Sequence, residues 1–567
     1  MLPTNKEEIT KLGWAQPDII LISGDAYIDS PFVGVAVIGN WLFSKGFKVA
    51  VISQPDILTD EIARLGEPKL FWGVSAGAMD SFVANYTSLN KFRNEDDLTP
   101  GGINNRRPDR ACMVYTNLIR RHFKNTKPII LGGVEASLRR IVHYDLQDNA
   151  LRRSILFDAK ADIIIYGMGE KAALSLAEAL RDEKDWKNIK GLCYISKTPL
   201  PNSLELPSFE ECKSVPDKFF EAFSSFYQNE RLQNPKTLIQ KHADRYLIQN
   251  PKQPALTEQE LDAIYDLDYT REVCPSCEKL GKVKQQETIK FSITTHRGCF
   301  GECGFCAITV HQGREVVSRS EKSILAEIEK ISKLKDFKGN ISDLGGPTAN
   351  MFGSFCKREN EINSGEKKHL AGSCSNRRCL FPKMCANLNC GHDKQIELLK
   401  KAGKFCKRVF ISSGVRYDMI CQDKENGQNY LNELLNSHIS GQMKIAPEHT
   451  DDKILNYMGK PSSAFLKQFL EMFNKARLTD AAHLKLFLTY YFIAAYPGCG
   501  EKEMRNLQSF IGKNLKIRPE QVQIFTPTPS TNATAMYYCQ KDLDGNKLFV
   551  EKDRNKKQKQ KRIICGC

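Results

Sequence analysis

Residues 295–306 read THRGCFGECGFC and carry three cysteines at C-x3-C-x2-C spacing, near the middle of the chain. Residues 289–294, just before this loop, alternate apolar and polar side chains as a half-buried strand does. A short loop with this spacing can place three thiolates on one [4Fe–4S] cluster, which leaves the fourth iron open to an outside ligand. The stretch therefore predicts a strand followed by a cluster-binding loop, with Cys299, Cys303 and Cys306 as the ligands.

The fourth ligand position decides between iron and zinc in this loop. A structural zinc site normally takes four ligands, with one C-x2-C pair joined by a second pair or by histidines. The nearest other cysteines, Cys277 and Cys356, lie far along the chain on either side, so the loop offers no such set. The spacing therefore favours an iron–sulfur cluster with an open iron over a structural zinc ion.

Length and composition set the broad class of the chain. With 567 residues, of which 41% are hydrophobic, it is long enough for two or more domains with sizeable cores. The sequence has no run of about eighteen apolar residues, which predicts no membrane span. The start MLPTNKEE lacks an apolar signal region, so we expect a cytoplasmic protein. Its 19 cysteines, without a secretion signal, indicate metal or redox ligation rather than a disulfide framework.

The net charge of +15 raises the question of a nucleic-acid partner. Much of this charge lies in scattered lysines and in a basic C-terminal tail, residues 541–567, which includes the run KKQKQKR at 556–562. A basic run is more often a solvated tail than a binding site. Because charge gives affinity but not identity, a structured RNA stays open as a partner without being specifically indicated.

Strand and helix patterns alternate in the first part of the chain. Apolar runs that end in turn residues recur at about 18–25, 48–53, 70–75, 128–133 and 161–167. Strands spaced this way imply crossover helices, and so an α/β, Rossmann-like N-terminal domain over residues 1–201. Its ligand crevice would lie past the carboxyl ends of the strands, where Asp25 falls. Residues 202–285 predict a charged helical connector.

Strand and helix patterns alternate again over residues 286–540, as in a partial (β/α) barrel. Active sites of such barrels lie at the carboxyl ends of the strands, so the residues at these ends are candidate cofactor contacts. The candidates are Gly345, Gly346, Pro347, Ser412, Ser413, Arg416, Glu448 and Phe525. Ordinary loop capping uses the same residue types and is the alternative for each side chain among them.

A cysteine-rich insertion at residues 352–393 lies within the predicted barrel. It contains Cys356, Cys374, Cys379, Cys385 and Cys390, at irregular spacing unlike that of common zinc knuckles. Two interpretations stay open: an auxiliary iron–sulfur cluster held by four of the cysteines, or a structural zinc ion. The first four cysteines are the candidate ligands of this second metal site, and the irregular spacing favours the cluster.

The loop at 295–306, with the aromatic Phe305 before its last cysteine, resembles the cluster loop of the radical S-adenosylmethionine (SAM) superfamily. Longer motifs resemble the YgiQ-type family within it, and this similarity runs from about residue 17 to residue 550. These motifs are DAY at 25–27, LGGVEAS at 131–137, SDLGGPTANM at 342–351, APEH at 446–449 and FTPTP at 525–529. The resemblance implies an enzyme that cleaves SAM reductively to a 5′-deoxyadenosyl radical, which acts on an unknown substrate.

The same resemblance implies roles for the strand ends. The open iron would chelate the amino and carboxylate groups of SAM, and an external donor would supply the electron. The backbone of the Gly-Gly-Pro strand end would bind the SAM amino group, although the glutamate that usually follows the two glycines is absent. The two serines and Arg416 would hold the ribose and the carboxylate, and Phe525 would lie at the adenine.

The N-terminal domain resembles the cobalamin-binding type of Rossmann domain that precedes many radical SAM cores. That type often has an Asp-x-His-x-x-Gly loop whose histidine ligates cobalt, whereas this chain has Tyr27 at the histidine position. Cobalamin is therefore not favoured, and it stays open because some relatives bind it without the histidine. A second departure is CPSC at 274–277, where the family has His-Pro-x-Tyr. These two cysteines could be half of a zinc site, a redox pair or free thiols.

The competing hypothesis is a cysteine-rich, metal-stabilised nucleic-acid-binding protein without catalysis. Such a protein would carry zinc and stay colourless in an anaerobic preparation, whereas the radical SAM enzyme would carry iron and sulfide.

Overall fold

The structure, a computed structural model, describes residues 1–360, 371–479 and 485–565. The chain divides into two compact units, one made of Met1–Pro254 and Leu267–Lys290, the other of Ala255–Asp266 and Phe291–Cys567. The chain therefore leaves the first unit at residue 254, returns to it at 267 and leaves it again at 290. The predicted insertion and basic tail extend in part outside the described residues. None of the described helices has both the length and the apolar character needed to cross a membrane.

The first unit contains eleven strands. They are β1 (Ile19–Ser23), β2 (Val49–Ser53), β3 (Phe71–Ser75), β4 (Ile129–Gly132), β5 (His143–Asp145), β6 (Ala150–Arg152), β7 (Ile163–Ile165), β8 (Leu192–Ser196), β9 (Leu204–Leu206), β10 (Leu238–His242) and β11 (Arg245–Gln249). Nine of them form one sheet in the order β2-β1-β3-β4-β7-β8-β11-β10-β9, and β5 pairs with β6. Across the sheet, the neighbouring strands β2, β1, β3, β4 and β7 run parallel to one another. The neighbouring pairs β7–β8, β8–β11 and β11–β10 are antiparallel.

Helices connect the parallel strands of this sheet, which confirms the predicted Rossmann-like arrangement. Every residue of β1 and β2 is buried, as expected for parallel strands that are covered on both faces. The helices of the first unit are Lys6–Lys11, Gly34–Ser44, Ser81–Asn85, Ala111–His122, Gly133–Leu138, Ile155–Ala159, Glu170–Arg181, Phe209–Ser214, Pro216–Arg231, Pro275–Glu278 and Gln285–Ile289.

The region predicted as a charged helical connector differs from that prediction. It contributes β9, β10 and β11 to the sheet, so the sheet continues past the expected boundary at residue 201. The charged side chains of Lys241 and Arg245 suggested a solvated segment, but they lie exposed at the turn of a hairpin. Most other residues of β10 and β11 are buried, and pairing of β11 with β8 outweighs the local polarity.

The second unit contains the remaining strands of the described chain. They are β12 (Ser292–Thr294), β13 (His296–Arg297), β14 (Val317–Ser318), β15 (Asn340–Ile341), β16 (Asp343–Gly345), β17 (Phe355–Cys356), β18 (Leu388–Asn389), β19 (Arg408–Val409), β20 (Gln442–Glu448), β21 (Phe487–Ala494) and β22 (Gln521–Ile524). The helices are Glu258–Tyr265, Ala307–Gln312, Glu321–Ser332, His392–Ala402, Tyr417–Gln422, Gly427–Glu433, Asp452–Met458, Ala464–Thr479, Glu501–Phe510, Asn532–Cys539 and Arg554–Cys565.

Parallel strands make up the partial (β/α) barrel of this unit. β12 pairs with β16, β15 pairs with β19, and β20, β21 and β22 form one sheet, all in parallel. Backbone hydrogen bonds link these pieces: the Leu344 N–H donates to Phe410 and the Val415 N–H donates to Lys444, both at 2.9 Å. The carboxyl ends of the strands therefore share one rim, as the predicted α/β barrel requires.

The C-terminal segment is a docked helix where the sequence predicted a basic tail. Within Arg554–Cys565, Lys557, Gln560 and Ile564 are buried. The Gln560 amide accepts from the Ala495 N–H at 3.0 Å and donates to the Cys499 carbonyl at 3.3 Å. These contacts satisfy the polar side chains on the inner face of the helix. The predicted solvated character therefore holds only for the outer face.

Candidate metal centre and cofactor site

The C-x3-C-x2-C loop lies between β13 and the helix Ala307–Gln312. Gly298 opens the loop with a φ of +79°, and a Cβ at this position would overlap the carbonyl oxygen of Glu315. Only glycine meets both conditions, because it has no Cβ and adopts positive φ readily. The antiparallel pairing of β13 with β14 then holds the start and the return of the loop together.

The thiols of Cys299, Cys303 and Cys306 are free and partly exposed. Burial raises the pKa of the Cys306 thiol to about 12, with contributions from the other two thiols, so the three sulfurs are neighbours. Three neighbouring thiols are the donor set of a [4Fe–4S] cluster with one open iron.

Arg416 places a buried positive charge beside this loop. Its Nη1 lies 3.7 Å from the Cys303 sulfur, while Nε and Nη2 donate to the two carboxylate oxygens of Asp418 at 2.9 and 2.7 Å. Burial alone would lower the pKa of Arg416, but the Asp418 carboxylate and the Cys303 thiol raise it. Two of the guanidinium nitrogens of Arg416 are therefore bound to the carboxylate of Asp418. In this structure they are not free to bind the carboxylate of SAM.

A buried network fixes the backbone of Arg416. Asn350 accepts from the Arg416 N–H at 2.8 Å, and it donates to the Arg416 carbonyl at 3.1 Å and to Nε2 of His392 at 3.2 Å. Since Nε2 accepts, the proton of His392 is on Nδ1, which donates to Asp423 at 2.7 Å. Cys390, His392 and Asp423 have ligand atoms within 4.8 Å of one another. Both ring nitrogens of His392 are already used, so we assign it as a positioning residue and not as a metal ligand.

The Gly-Gly-Pro strand end lies against the segment that leads into the cysteine loop. The carbonyl of Gly345, the last residue of β16, accepts from the backbone N–H of Thr295 at 2.7 Å and from its hydroxyl at 3.2 Å. Gly346 packs on the buried ring of His296, where a Cβ would lie 2.5, 2.7 and 2.9 Å from three ring atoms. The close packing at both glycines fixes the position of the strand end relative to the loop.

Pro347 and Thr348 continue this strand end towards the thiols. The Thr348 Oγ1 lies 3.4 Å from the Cys299 sulfur. Burial raises the pKa of the Cys299 thiol, and the hydrogen bond with Thr348 opposes that rise. Thr348 was not among the predicted site residues, because nothing in a single sequence distinguishes this threonine from an ordinary loop residue. Through the Thr348 side chain, the strand end that is predicted to bind SAM therefore contacts Cys299, a predicted cluster ligand.

Ser412 and Ser413 have the contacts of loop caps. Their backbone N–H groups donate to one carboxylate oxygen of Asp343 at 2.8 and 3.1 Å, and the Ser413 hydroxyl donates to the other. The Ser412 hydroxyl donates to the Ser342 carbonyl at 2.7 Å. Asp343 therefore ties the strand end that follows β19 to β16, which is the capping alternative considered for these serines.

Glu448 and Phe525 are both buried at strand ends. Glu448 ends β20 with a φ of +66°, a conformation that costs about 1–3 kcal/mol for a residue other than glycine. Burial raises the pKa of its carboxyl group, which lies 3.8 Å from the Lys460 Nζ. Phe525 follows β22 and packs edge-on against Tyr496 at 5.2 Å, which in turn contacts Phe305 of the cysteine loop at 6.2 Å. The aromatic row links the predicted adenine edge to the loop.

The four cysteines predicted as a second metal site come together in the second unit. Cys356, Cys374, Cys379 and Cys385 line a single cavity of about 250 Å³. Cys390, the fifth cysteine of the insertion, does not line it. The four that line the cavity are the four that the sequence analysis named as candidate ligands.

In the first unit, charged side chains pair with one another at the end of β1. Asp25 pairs with Arg107 at 2.5 Å, and Arg107 also pairs with Asp96 at 2.9 Å. Tyr27, at the position of the cobalt-ligating histidine, is fully buried, and its hydroxyl donates to Asp29 at 3.2 Å. Position 27 therefore supplies no histidine ligand for cobalt, and an internal ion pair lies at the end of β1.

The cysteines of the CPSC motif form a disulfide, Cys274–Cys277, in the first unit. The Cys277 sulfur also lies 3.2 Å from the Ser53 hydroxyl, and the Cys274 N–H donates to the Tyr27 carbonyl at 2.9 Å. Because the two sulfurs bond to each other, they are not half of a zinc site in this structure.

Comparisons with known proteins identify the family of the chain. Residues 1–292 match the family model described as Radical SAM N-terminal. A UPF0313 protein of Fusobacterium nucleatum is 54% identical over 568 residues, which cover 99% of this chain and 98% of the relative. A UPF0313 protein of Thermotoga maritima is 45% identical over 572 residues, with the same coverage of 99% and 98%.

One solved structure supports the fold. It is the cobalamin-dependent S-adenosylmethionine radical enzyme OxsB with aqua-cobalamin bound, at a TM-score of 0.50 and 12% sequence identity. The match covers 96% of this chain and 58% of that chain. At this identity the likeness concerns the order and packing of the secondary structure, and not the ligands.

Proposed function

The chain belongs to the UPF0313 (YgiQ-type) family of radical SAM proteins, and on that premise we propose that it holds a [4Fe–4S] cluster on Cys299, Cys303 and Cys306. We further propose that this radical SAM enzyme cleaves SAM reductively to a 5′-deoxyadenosyl radical, which abstracts hydrogen from a substrate still to be identified. A separate one-electron donor would reduce the cluster.

The contact between Thr348 and Cys299 carries this proposal. It joins the Gly-Gly-Pro strand end to a thiol of the cysteine loop at 3.4 Å, so a ligand on an open iron would lie beside the backbone of Gly345 and Gly346. The set of three thiols at C-x3-C-x2-C spacing supports iron at this loop. Together these observations favour an open cluster with an adjacent SAM site.

The cluster and SAM, when bound, supply the one-electron cleavage of the S–C5′ bond. The protein's residues would bind and orient these groups. Arg416, held by Asp418, offsets the negative charge of three thiolates, and its Nη1 is directed at the Cys303 sulfur. Hydrogen bonds and charges near cluster sulfurs tune reduction potentials, so Arg416 favours the reduced cluster. No step through cobalamin is proposed, because position 27 supplies no histidine ligand for cobalt.

Anaerobic purification and reconstitution test the proposal. We expect a brown protein from which the Cys299→Ala/Cys303→Ala/Cys306→Ala variant loses about four irons and four sulfides per chain. With dithionite as reductant, the parent should convert SAM to 5′-deoxyadenosine, and the triple variant should not. Cys406→Ala, a half-buried cysteine outside both groups, is the matched control and should keep the iron and the activity. A parent that binds zinc in place of iron after reconstitution would contradict the proposal and support the nucleic-acid-binding alternative.

A further inference from the structure

The insertion of the second unit contains a cavity lined by thiols. Cys356, Cys374, Cys379 and Cys385 all line this cavity of about 250 Å³. Among the described residues around it there is no histidine, aspartate or glutamate, so sulfur is the metal-ligating atom type that it offers. Cys390 lies outside it, with its sulfur 3.4 Å from that of Met384.

Backbone contacts hold these cysteines in place. Cys356 belongs to β17, which pairs with β18 at the far end of the insertion. The Cys385 N–H donates to the Cys379 carbonyl at 2.7 Å, and the Arg314 Nη1 donates to the Cys374 carbonyl at 2.6 Å. Cysteines at irregular sequence spacing are thus brought around one space by the fold.

The shared cavity and the spacing of the cysteines favour a cluster over a zinc ion. Four thiols surround one space of about 250 Å³. Their irregular spacing in the sequence is unlike that of common zinc knuckles. Four cysteine thiolates are the usual ligands of a [4Fe–4S] cluster.

Positive charge accompanies the thiols. Arg358 and Arg377 both line the cavity. A cluster with four thiolate ligands carries net negative charge, which nearby cations and hydrogen bonds stabilise. The lining therefore suits an anionic metal–sulfur cluster in charge as well as in donor atoms.

The cavity lies next to the first cysteine loop. Phe300 is fully buried in a hydrophobic cluster against which both Cys299 of the loop and Cys379 of the cavity pack. Gly372, which lines the cavity, has a φ of +94°, and a Cβ there would lie 3.2 Å from the Phe300 Cβ. The two groups of thiols therefore share one hydrophobic cluster, which contains Phe300.

We propose that Cys356, Cys374, Cys379 and Cys385 bind a second [4Fe–4S] cluster in which the protein ligates all four irons. This inference goes beyond the proposed function and does not rest on it, because it uses no residue of the first loop. Four protein ligands leave no open iron, so this second cluster does not bind SAM.

Iron, sulfide and zinc contents of anaerobically reconstituted full-length variants test this inference. We expect about eight irons per chain in the parent and about four in Cys379→Ala/Cys385→Ala. The first-loop triple variant should also keep about four, and the variant with all five substitutions should keep none. Cys390→Ala is the matched control within the same insertion and should keep about eight irons.

A second measurement avoids dependence on the folding of the double variant. The first-loop triple variant leaves the insertion intact, so after reduction it should show the EPR signal of about one reduced [4Fe–4S] cluster per chain. About four irons in the parent, all lost in the triple variant, would overturn the inference, whether or not zinc occupies the cavity. That same result would leave the proposed function standing, so the two proposals fail separately.

Discussion

A methyl group added at Gly346 tests whether the strand end is fixed against the cysteine loop. In Gly346→Ala the new Cβ would lie 2.5, 2.7 and 2.9 Å from the Cε1, Nε2 and Nδ1 atoms of His296, closer than Cβ atoms pack in proteins. The His296 ring is fully buried, and its Nδ1 is 2.9 Å from the Thr295 hydroxyl, so it has little room to move. Either the ring or the backbone from Gly346 to Thr348 must shift.

The expected size of the effect follows from overpacking. Inserting a methyl group into a packed site costs about 1–3 kcal/mol, so urea unfolding of Gly346→Ala should show a loss of that order. If the strand end moves, its backbone contacts to SAM weaken as well. A loss of about 1.4 kcal/mol there raises the dissociation constant for SAM tenfold, measurable by equilibrium dialysis of the reconstituted protein.

Two variants control this experiment. At Gly345 the nearest atom to a new Cβ is the Ser413 Oγ at 3.3 Å, so Gly345→Ala should be clearly milder. The double variant Gly346→Ala/His296→Ala removes the ring that the methyl group meets. It should therefore be less destabilised than the sum of its single variants by about 1 kcal/mol or more. Additive effects in this cycle, or a Gly346→Ala protein as stable as the parent, would refute the reasoning.

Further predictions concern buried charges and the histidine network. Arg107→Leu leaves two buried carboxylates unpaired and should lower the free energy of unfolding by about 3–5 kcal/mol in urea titrations, whereas Arg106→Leu should change it little. Burial lowers the pKa of His242 to about 3, so the unfolded chain takes up a proton below about pH 6.5 and the folded chain does not. Stability should therefore fall as the pH falls from 6.5 towards 3. Between pH 7 and pH 5 the free energy of unfolding of the parent should fall by about 2 kcal/mol more than that of His242→Phe. His392→Ala removes the partner that orients Asn350 and should speed iron loss to a chelator several-fold; a chelation rate equal to that of the parent would contradict this role.

The α/β order of the fold could be predicted from the sequence because the parallel strands are fully buried apolar runs. β1 and β2 have no exposed residue, so their hydrophobicity is continuous and visible without any partner. β10 and β11 were missed because exposed Lys241 and Arg245 at their turn resemble a solvated segment. The C-terminal helix was missed for a similar reason, since its buried Lys557 and Gln560 find polar partners that only the folded chain supplies.

The cysteine loop was recognisable because its ligands are local in sequence, while the contacts around it are not. Asn350 reaches His392 and Arg416 across 42 and 66 residues, and no local pattern marks such a network. Ser412 and Ser413 show the opposite case, in which a local pattern suggests one contact and the structure contains another. They have the residue type of a cofactor contact, yet their partner is Asp343, about seventy residues earlier in the chain.

The exchange of segments between the two units has a consequence for synthesis on the ribosome. The helix Glu258–Tyr265 emerges early but belongs to the second unit, where Tyr265 packs 4.5 Å from the Arg319 guanidinium, and its partners are translated later. Conversely, the first unit is finished only when residues 267–290 return to it, with Thr270 donating to Asp29 at 2.9 Å. A nascent chain therefore cannot complete one unit before starting the other, as separate domains can. A gene cut after residue 254 would leave the first unit without residues 267–290, and a cut after residue 290 would leave the second unit without the helix Glu258–Tyr265.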